Sequence, residues 1–170
     1  MTPLEYIRRF YPEALKVERE TGISAVAMLA QSAGESGWRP GPGNMMFGIK
    51  DTDGVNGNEQ LVRTKEYHCS PGLKYPVIHS VIPVKKGNVM VYEYDVETWF
   101  RKYDNPANSF RDYARFIFAN PRYKKALAVR EIPELYLKEL AKAGYATGPD
   151  YEEFMMQMLS SVVKRLKSLK

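Results

Sequence analysis

The sequence is short of cysteine and of long apolar runs, and each shortage excludes a class of protein. Cys69 is the only cysteine, so no disulfide can form within the chain. No window approaches the ~18 consecutive apolar residues of a membrane-spanning helix. The N-terminus has no apolar segment of the signal-peptide kind, so we expect either another export route or a leader outside this stretch. Neither a disulfide-stapled scaffold nor a membrane-spanning protein fits.

The composition is that of an ordinary globular domain. The chain has 170 residues, of which 44% are hydrophobic and 26% charged. This is enough for one domain with a real core, and we expect a single catalytic domain over residues 1–170. The net charge of +5 favours a polyanionic partner such as nucleic acid, an anionic membrane or a bacterial wall polymer.

Helical signals occupy both ends of the chain. Thr2 and Glu5 form the pattern of a capping box, and Gly22 marks the end of that first helix. Ser24 can cap a second helix, whose apolar run "AVAMLAQSAG" stops at Gly34. Helical spacing returns at "PANSFRDYARFIFA" and continues to the C-terminus.

The middle of the chain has the composition of strands. Residues 39–60 are rich in glycine, proline, asparagine and aspartate and are expected to be loop. The segments "QLVRTKEYH", "YPVIHSVIPV" and "VMVYEY" are β-branched and aromatic, and "KKGN" is a turn between the last two. The predicted class is therefore α+β, mostly α. A small antiparallel β lobe at roughly 51–101 faces a helical lobe across a cleft.

Glu35, in "AGESGW", stands where the second helix is expected to end. The helix C-terminus carries partial negative charge, and the neighbouring Trp38 can exclude water. Both effects raise the pKa of a carboxyl group. A carboxylic acid that stays protonated near neutral pH suits a glycosidase, which must protonate a leaving oxygen.

Six segments in a fixed order extend this pattern over roughly residues 5–160. They are "AQSAGESGW", "NMMFGIK", "TKEY", "FRKYDNPANSFRDYARFI", "NPRYKKAL" and "LAKAGYATGPDYEEFM". In this the chain resembles the glucosaminidase-domain family of peptidoglycan hydrolases, which includes flagellar-rod-type wall hydrolases. The resemblance implies a lysozyme-like fold. It also implies Glu35 as general acid, Glu66 as second carboxylate and Tyr145 as an aromatic beside the acid.

The expected substrate-binding residues come from two sources, the resemblance and the aromatic content of the chain. Phe47 and Gly48 fall on the floor of the cleft, while Asn44 stands where relatives carry two asparagines and this chain carries one. Trp38 and Tyr67 are added because sugar rings stack on aromatic faces.

A second departure from the family pattern concerns the stretch from His68 to Glu97, which is long for the family's hairpin. It makes Glu93 a rival of Glu66 for the second carboxylate.

Other kinds of site are set aside, and we expect no metal and no cofactor. His68 and Cys69 are neighbours on a strand and point to opposite faces, which argues against a thiol nucleophile. The two histidines with Cys69 lack zinc-ligand spacing. The segment "DTDGVNGNEQLV" fails the calcium-loop pattern at its fifth, sixth and twelfth positions.

The expected activity is that of an endo-β-N-acetylglucosaminidase, which cleaves the bond between N-acetylglucosamine and N-acetylmuramic acid. A lytic transglycosylase, a muramidase and a non-catalytic wall-binding module remain open. Inverting, retaining and substrate-assisted mechanisms are also open. We expect a monomer that acts on peptidoglycan strands in the periplasm or outside the cell, without nucleic acid or membrane insertion. The missing signal peptide suits a phage or prophage enzyme, or a piece of a longer secreted chain.

Overall fold

The computed structural model describes residues 1–52, 55–146, 148 and 150–169. The chain divides into two compact units, a helical unit of Met1–Gly48 with Tyr103–Lys170 and a β unit of Ile49–Lys102. Part of the predicted loop, Asp53 and Gly54, lies outside the described residues. So do Thr147 and Pro149 of "AGYATGPDY".

The described residues of the helical unit form six α-helices. They are α1 (Pro3–Thr21), α2 (Ala25–Ser36), α3 (Pro106–Ala119), α4 (Lys124–Ala128), α5 (Pro133–Lys142) and α6 (Tyr151–Lys167). A short 3₁₀ turn, Pro121–Tyr123, precedes α4. Among the described residues, no helix is both long and apolar enough to cross a membrane.

Local signals in the sequence set the first two helices. The Thr2 backbone N–H donates to the Glu5 carboxylate at 2.7 Å and the Thr2 hydroxyl accepts from the Glu5 N–H at 3.3 Å, so the capping box is complete. Gly22 ends α1 with a φ of 74°, and Ser24 caps α2 through the Ala27 N–H. The second helix runs to Ser36, two residues beyond the apolar run that predicted its end.

Helix α2 is the centre of the helical unit, because it packs against α1, α5 and α6. Seven of its first nine residues are apolar, and eight of the nine are buried, the exception being Val26. Gly34 permits the close approach of α6, since a Cβ atom there would lie 2.7 Å from Met155 Cε and 3.1 Å from Phe154 Cε1. The core around α2 is built from large side chains of the other helices, chiefly Tyr6, Ile7, Phe10, Phe110, Tyr113, Ile117, Tyr136, Leu137, Leu140, Met155 and Val162.

The β unit is a three-stranded antiparallel sheet of β1 (Glu59–His68), β2 (Val77–Lys86) and β3 (Val89–Arg101) in the order β1-β3-β2. The predicted class, mostly α with a small antiparallel β element, is confirmed. The excess length after His68 is explained by β2, which pairs with β3 and forms one edge of the sheet. The β1–β3 pair is continuous from Glu59↔Arg101 to His68↔Tyr92.

Strand alternation sorts the side chains of the sheet into two faces. One face carries Tyr94, Val96 and Phe100, which are buried, and Glu66 lies directly opposite Tyr94. The other face carries cross-strand ion pairs of Arg63 with Asp95, Lys65 with Glu93 and His79 with Glu97. The sheet therefore has an aromatic face and a charged face.

The close packing at Gly34 can be tested with two substitutions of different size. Gly34→Ile places a branched side chain against α6 and should lower the free energy of unfolding by about 1–3 kcal/mol. Gly34→Ala adds one methyl group against the movable end of Met155 and raises helix propensity, so it should leave stability close to the starting value. Denaturant unfolding measures both, and equal stability of the two variants would contradict close packing.

Candidate active site

The last turn of α2 holds Glu35 beside the left-handed end of the helix. Gly37 has a φ of 60°, and its N–H and that of Trp38 both bond to the Ala33 carbonyl. Gln31 lies four residues before Glu35 and therefore on the same face of the helix. Gln31 is fully buried, whereas Glu35 as a whole residue is exposed.

The carboxyl group of Glu35 lies in surroundings that disfavour its charge. Burial raises the pKa of Glu35 to about 7, and hydrogen bonding from Tyr145 and Gln31 opposes that rise. The exposed area belongs to the residue as a whole, but the carboxyl atoms decide protonation, and protein atoms crowd them. No salt bridge to Glu35 is found in the described parts of the chain. A carboxyl with this pKa carries a proton through much of the neutral range.

Loss of water around the carboxyl is the cause of the raised pKa, and it is one of the two causes that the sequence suggested. The other expected cause, the partial charge of the helix C-terminus, stays a prediction. The Trp38 ring packs edge-on against Tyr6 with 5.7 Å between ring centroids, and the guanidinium carbon of Arg165 lies 5.6 Å from its centroid. Its backbone also has a positive φ of 64°, which is uncommon for tryptophan. These contacts make Trp38 a packed part of the helical unit.

A cluster of tyrosines surrounds Glu35 and Gln31. Tyr145 follows Gly144, whose φ of 73° turns the chain out of α5, and its ring stacks on Tyr151 with 6.1 Å between centroids. The Tyr113 hydroxyl donates to Gln31 Oε1 at 2.5 Å and lies 2.8 Å from the Tyr136 hydroxyl. Burial is the first cause of the raised pKa of Tyr113, Tyr136, Tyr145 and Tyr151.

The predicted floor residues Phe47, Asn44 and Gly48 have different surroundings. Phe47 is only 2% exposed, and its ring stacks on that of Tyr113 with 4.1 Å between ring centroids, so the predicted contact with substrate stays a prediction. It supports the tyrosine cluster. Asn44 has a φ of 56° and donates from Nδ2 to the Tyr103 carbonyl at 2.8 Å, which engages its amide in the fold. Gly48 is exposed.

Glu66 lies on the aromatic face of the β unit with a cationic partner. Lys50 Nζ lies 2.5 Å from a Glu66 oxygen, and the same ammonium group lies 5.3 Å from the Phe100 ring centroid. Burial raises the pKa of Tyr75, and the charge of Glu66 adds to that rise. Lys50 is the last residue of the "FGIK" segment.

Glu93 and Tyr67 lie on the charged face of the sheet, opposite to Glu66. Glu93 pairs with Lys65 at 2.6 Å and accepts from the Tyr67 hydroxyl at 2.7 Å, and these hydrogen bonds lower the pKa of Glu93. The Lys86 ammonium lies 3.3 Å from the Tyr67 ring centroid. Tyr67 and Glu66 therefore leave opposite faces of the sheet, and the predicted contact of Tyr67 with substrate stays a prediction.

The residues that were considered and rejected as a thiol nucleophile or as zinc ligands, His68, Cys69 and His79, have different surroundings from one another. His68 Nε2 lies 2.6 Å from the Tyr75 hydroxyl, while His79 Nε2 lies 2.9 Å from Glu97 on the charged face. Cys69 is exposed. Within the described ranges, no three histidine, cysteine, aspartate or glutamate residues are grouped as a metal site would need.

Sequence reasoning missed the buried partners of Glu35. Gln31 could have been found, because a polar residue four positions before a candidate acid shares its helix face. Tyr113, Tyr136 and Tyr151 come from three other helices. Their convergence on Gln31 depends on helix packing and leaves no local signal.

Comparison with known proteins gives a consistent result. Residues 11–164 match the family model Glucosaminidase, described as mannosyl-glycoprotein endo-beta-N-acetylglucosaminidase. The peptidoglycan hydrolase FlgJ of Vibrio parahaemolyticus is 30% identical over 168 residues, which are 95% of this chain and 48% of that protein. The FlgJ of Pseudomonas aeruginosa is 31% identical over 162 residues, 91% of this chain and 35% of that protein. The chain thus spans half or less of the length of these relatives.

Solved structures agree in fold. The glycoside hydrolase domain of Salmonella typhimurium FlgJ has a TM-score of 0.71 at 24% identity, covering 99% of this chain and 93% of that one. A mutant of a peptidoglycan hydrolase from Sphingomonas sp. A1 has a TM-score of 0.66 at 22% identity, covering 97% and 99%.

The unusual protonation of Glu35 predicts a pH-dependent stability difference. The ordinary pKa is 4.5 and the folded pKa about 7, so between these values the unfolded chain releases a proton that the folded chain keeps. Folding stability is therefore lost as the pH rises through this window. Glu35→Gln cannot ionise, so its melting temperature relative to wild type should increase from pH 4.5 to 7 and level off above.

Glu93→Gln is the matched control of opposite sign. Its carboxylate has a lowered pKa in the folded protein and stabilises the fold above the ordinary value of 4.5. This variant should lose stability relative to wild type as the pH rises from acid to neutral. Parallel curves for Glu35→Gln and wild type would contradict the raised pKa.

Proposed function

Because this chain belongs to the glucosaminidase-domain family, we propose that it is a peptidoglycan hydrolase that cleaves the β-1,4 bond between N-acetylglucosamine and N-acetylmuramic acid. Glu35 is the general acid of the reaction. The observation that carries the proposal is the raised pKa of about 7 of a carboxyl group that lies beside Tyr145 and Gln31.

General acid catalysis explains why this environment matters. The glycosidic oxygen is a poor leaving group until it receives a proton, and a carboxyl with the ordinary pKa of 4.5 has already lost its proton at neutral pH. Burial keeps the proton on Glu35, while the exposed side of the residue leaves it open to a polymer. After proton transfer, the new carboxylate needs hydrogen-bond donors, and Tyr145 is one of them.

Glu66 serves as the second carboxylate in this proposal. Its ion pair with Lys50 holds the carboxylate in place. A carboxylate held in this way can serve as base toward water or as electrostatic stabiliser of the positive charge that develops on the sugar. In this proposal Glu35 has no cationic partner among the described residues, whereas Glu66 has Lys50. Two carboxyl groups in such different surroundings can take different roles, one as acid and the other as base.

The place of action follows from the substrate. Peptidoglycan strands lie outside the cytoplasmic membrane, so the proposed site of action is the periplasm or the outer face of the wall. The basic balance of the chain, +5 overall, is compatible with approach to anionic wall polymers.

Digestion of purified peptidoglycan followed by mass spectrometry of the released muropeptides tests the function. The expected products end in reducing N-acetylglucosamine, and Glu35→Gln should release them on the order of 10²-fold more slowly or worse. Reducing N-acetylmuramic acid ends would establish a muramidase, and 1,6-anhydro ends a lytic transglycosylase. No release by correctly folded wild-type protein would establish a binding module.

A matched pair of variants tests the second carboxylate. Glu66→Gln removes the carboxylate on the aromatic face and should lower the rate by about 10²-fold, as expected for loss of a base. Glu93→Gln makes the same chemical change on the charged face and should leave the rate close to wild type. The reverse result would move the role to Glu93. Near-normal rates in both would leave catalysis to Glu35 with the substrate's own acetamido group.

A further inference from the structure

Gln31 is a buried polar residue whose whole side-chain amide is engaged. It is 0% exposed on α2, one turn before Glu35. Its Oε1 accepts from the Tyr113 hydroxyl at 2.5 Å, and its Nε2 donates to the Tyr151 hydroxyl at 3.2 Å. Glu35 lies four residues further along the same face of α2, and Gln31 acts to lower the pKa of the Glu35 carboxyl, as a nearby N–H donor would. A primary amide has two N–H groups, so one can face the Tyr151 hydroxyl and the other the Glu35 carboxyl.

The orientation of this amide is fixed from two helices. Tyr113 on α3 must donate to Oε1, because a carbonyl oxygen can only accept. Its own oxygen then accepts from Tyr136 on α5, 2.8 Å away. Hydrogen bonds therefore run in one direction from Tyr136 through Tyr113 to Gln31, and chains of this kind polarise each member. The ring of Phe47 stacks on the Tyr113 ring with 4.1 Å between ring centroids, and this contact fixes the plane of the Tyr113 ring.

We propose that Gln31 is a positioning residue for Glu35: the chain from Tyr136 and Tyr113 locks its amide so that an N–H group points at the carboxyl and holds the carboxylate that remains after proton donation. The inference rests on the proposed role of Glu35 as general acid. It adds a residue that contacts neither substrate nor reacting sugar, and whose effect passes through Glu35.

The groups that face Glu35 from the surrounding elements are neutral. They are Tyr6 on α1, Tyr113 on α3, Tyr145 after α5 and Tyr151 on α6. Burial raises the pKa of Tyr6 to about 12 and those of the others in the same direction, so all keep their protons in the neutral range. Arg165 lies over the Trp38 ring and is not among the causes of the Glu35 shift. Hydrogen-bond donors are therefore the means by which the fold adjusts this acid.

The opposing effects on Glu35 explain why such a donor is useful. Burial alone pushes the carboxyl toward permanent protonation, and an acid that never gives up its proton cannot catalyse. A fixed N–H donor stabilises the product of proton transfer without supplying a charge that would strip the proton beforehand. Tyr145 provides a second donor, but it lies in the segment after α5, whereas Gln31 is anchored in the core.

The test is the titration of the Glu35 carboxyl by ¹³C NMR in protein labelled at glutamate, in wild type and in Gln31→Met. Methionine keeps the approximate volume and removes the amide. The midpoint of the Glu35 titration should move upward by roughly 0.5–1 pH unit, because the ionised form has lost a donor. The alkaline limb of the pH–rate profile on peptidoglycan should move by the same amount. An unchanged or lowered midpoint would overturn the proposal.

Two further variants separate positioning from packing. Tyr113→Phe keeps Gln31 and removes the anchor of Oε1, so the midpoint should move in the same direction by a smaller amount; if Gln31→Met fails to fold, an unchanged midpoint in Tyr113→Phe overturns the proposal by itself. Ser32→Ala removes the neighbouring buried hydroxyl, which lies 3.0 Å from the Tyr6 hydroxyl. It should lower the melting temperature and leave the Glu35 midpoint in place, and an equal shift there would assign the effect to general loosening of α2.

The titration needs no substrate, so it separates this inference from the proposed function. If Gln31→Met shifts the Glu35 midpoint while wild-type protein releases no muropeptide, the amide contact stands and the hydrolase assignment fails. If the enzyme cleaves peptidoglycan and the midpoint does not move, the hydrolase assignment stands and the positioning role fails.

Discussion

The balance between burial of the Glu35 carboxyl and the hydrogen-bond donors near it sets the protonation of this residue, and the polar core around it depends on that balance. Burial removes water and raises the pKa to about 7, while Tyr145 and Gln31 limit the rise. A charged partner would have removed the acid's proton at neutral pH, and a purely apolar pocket would have made the proton too hard to release. Neutral donors provide an intermediate environment.

That arrangement imposes a demand on the surrounding core. A buried amide and buried tyrosine hydroxyls are costly unless each finds a hydrogen-bond partner. Gln31, Tyr113, Tyr136 and Tyr151 satisfy one another, so polar groups enter the core without being orphaned. Phe47 belongs to the same construction, because its ring packs on Tyr113. Phe47 thus supports the tyrosine cluster from within the core.

The β unit gives two similar carboxylates, Glu66 and Glu93, different surroundings. Glu66 and Glu93 both precede a tyrosine on a strand, and spacing along the chain does not separate them. In the sheet they are brought close in register but onto opposite faces, since successive residues alternate and Glu66 pairs with Tyr94. Ion pairing follows from the face: Glu66 meets Lys50, whereas Glu93 meets Lys65 and Tyr67.

The sequence by itself determined the features whose causes are local. Capping at Thr2, termination at Gly22, the strands with their turn and the α+β class all depend on residues a few positions apart, and a specific order of motifs marked Glu35. The tertiary structure alone decided the partners of Glu35, the burial of Phe47 and the face on which each carboxylate lies. Those features depend on which helices and strands pack against one another. A contact between residues as distant in sequence as Gln31 and Tyr151 produces no pattern of residue spacing from which it could be predicted.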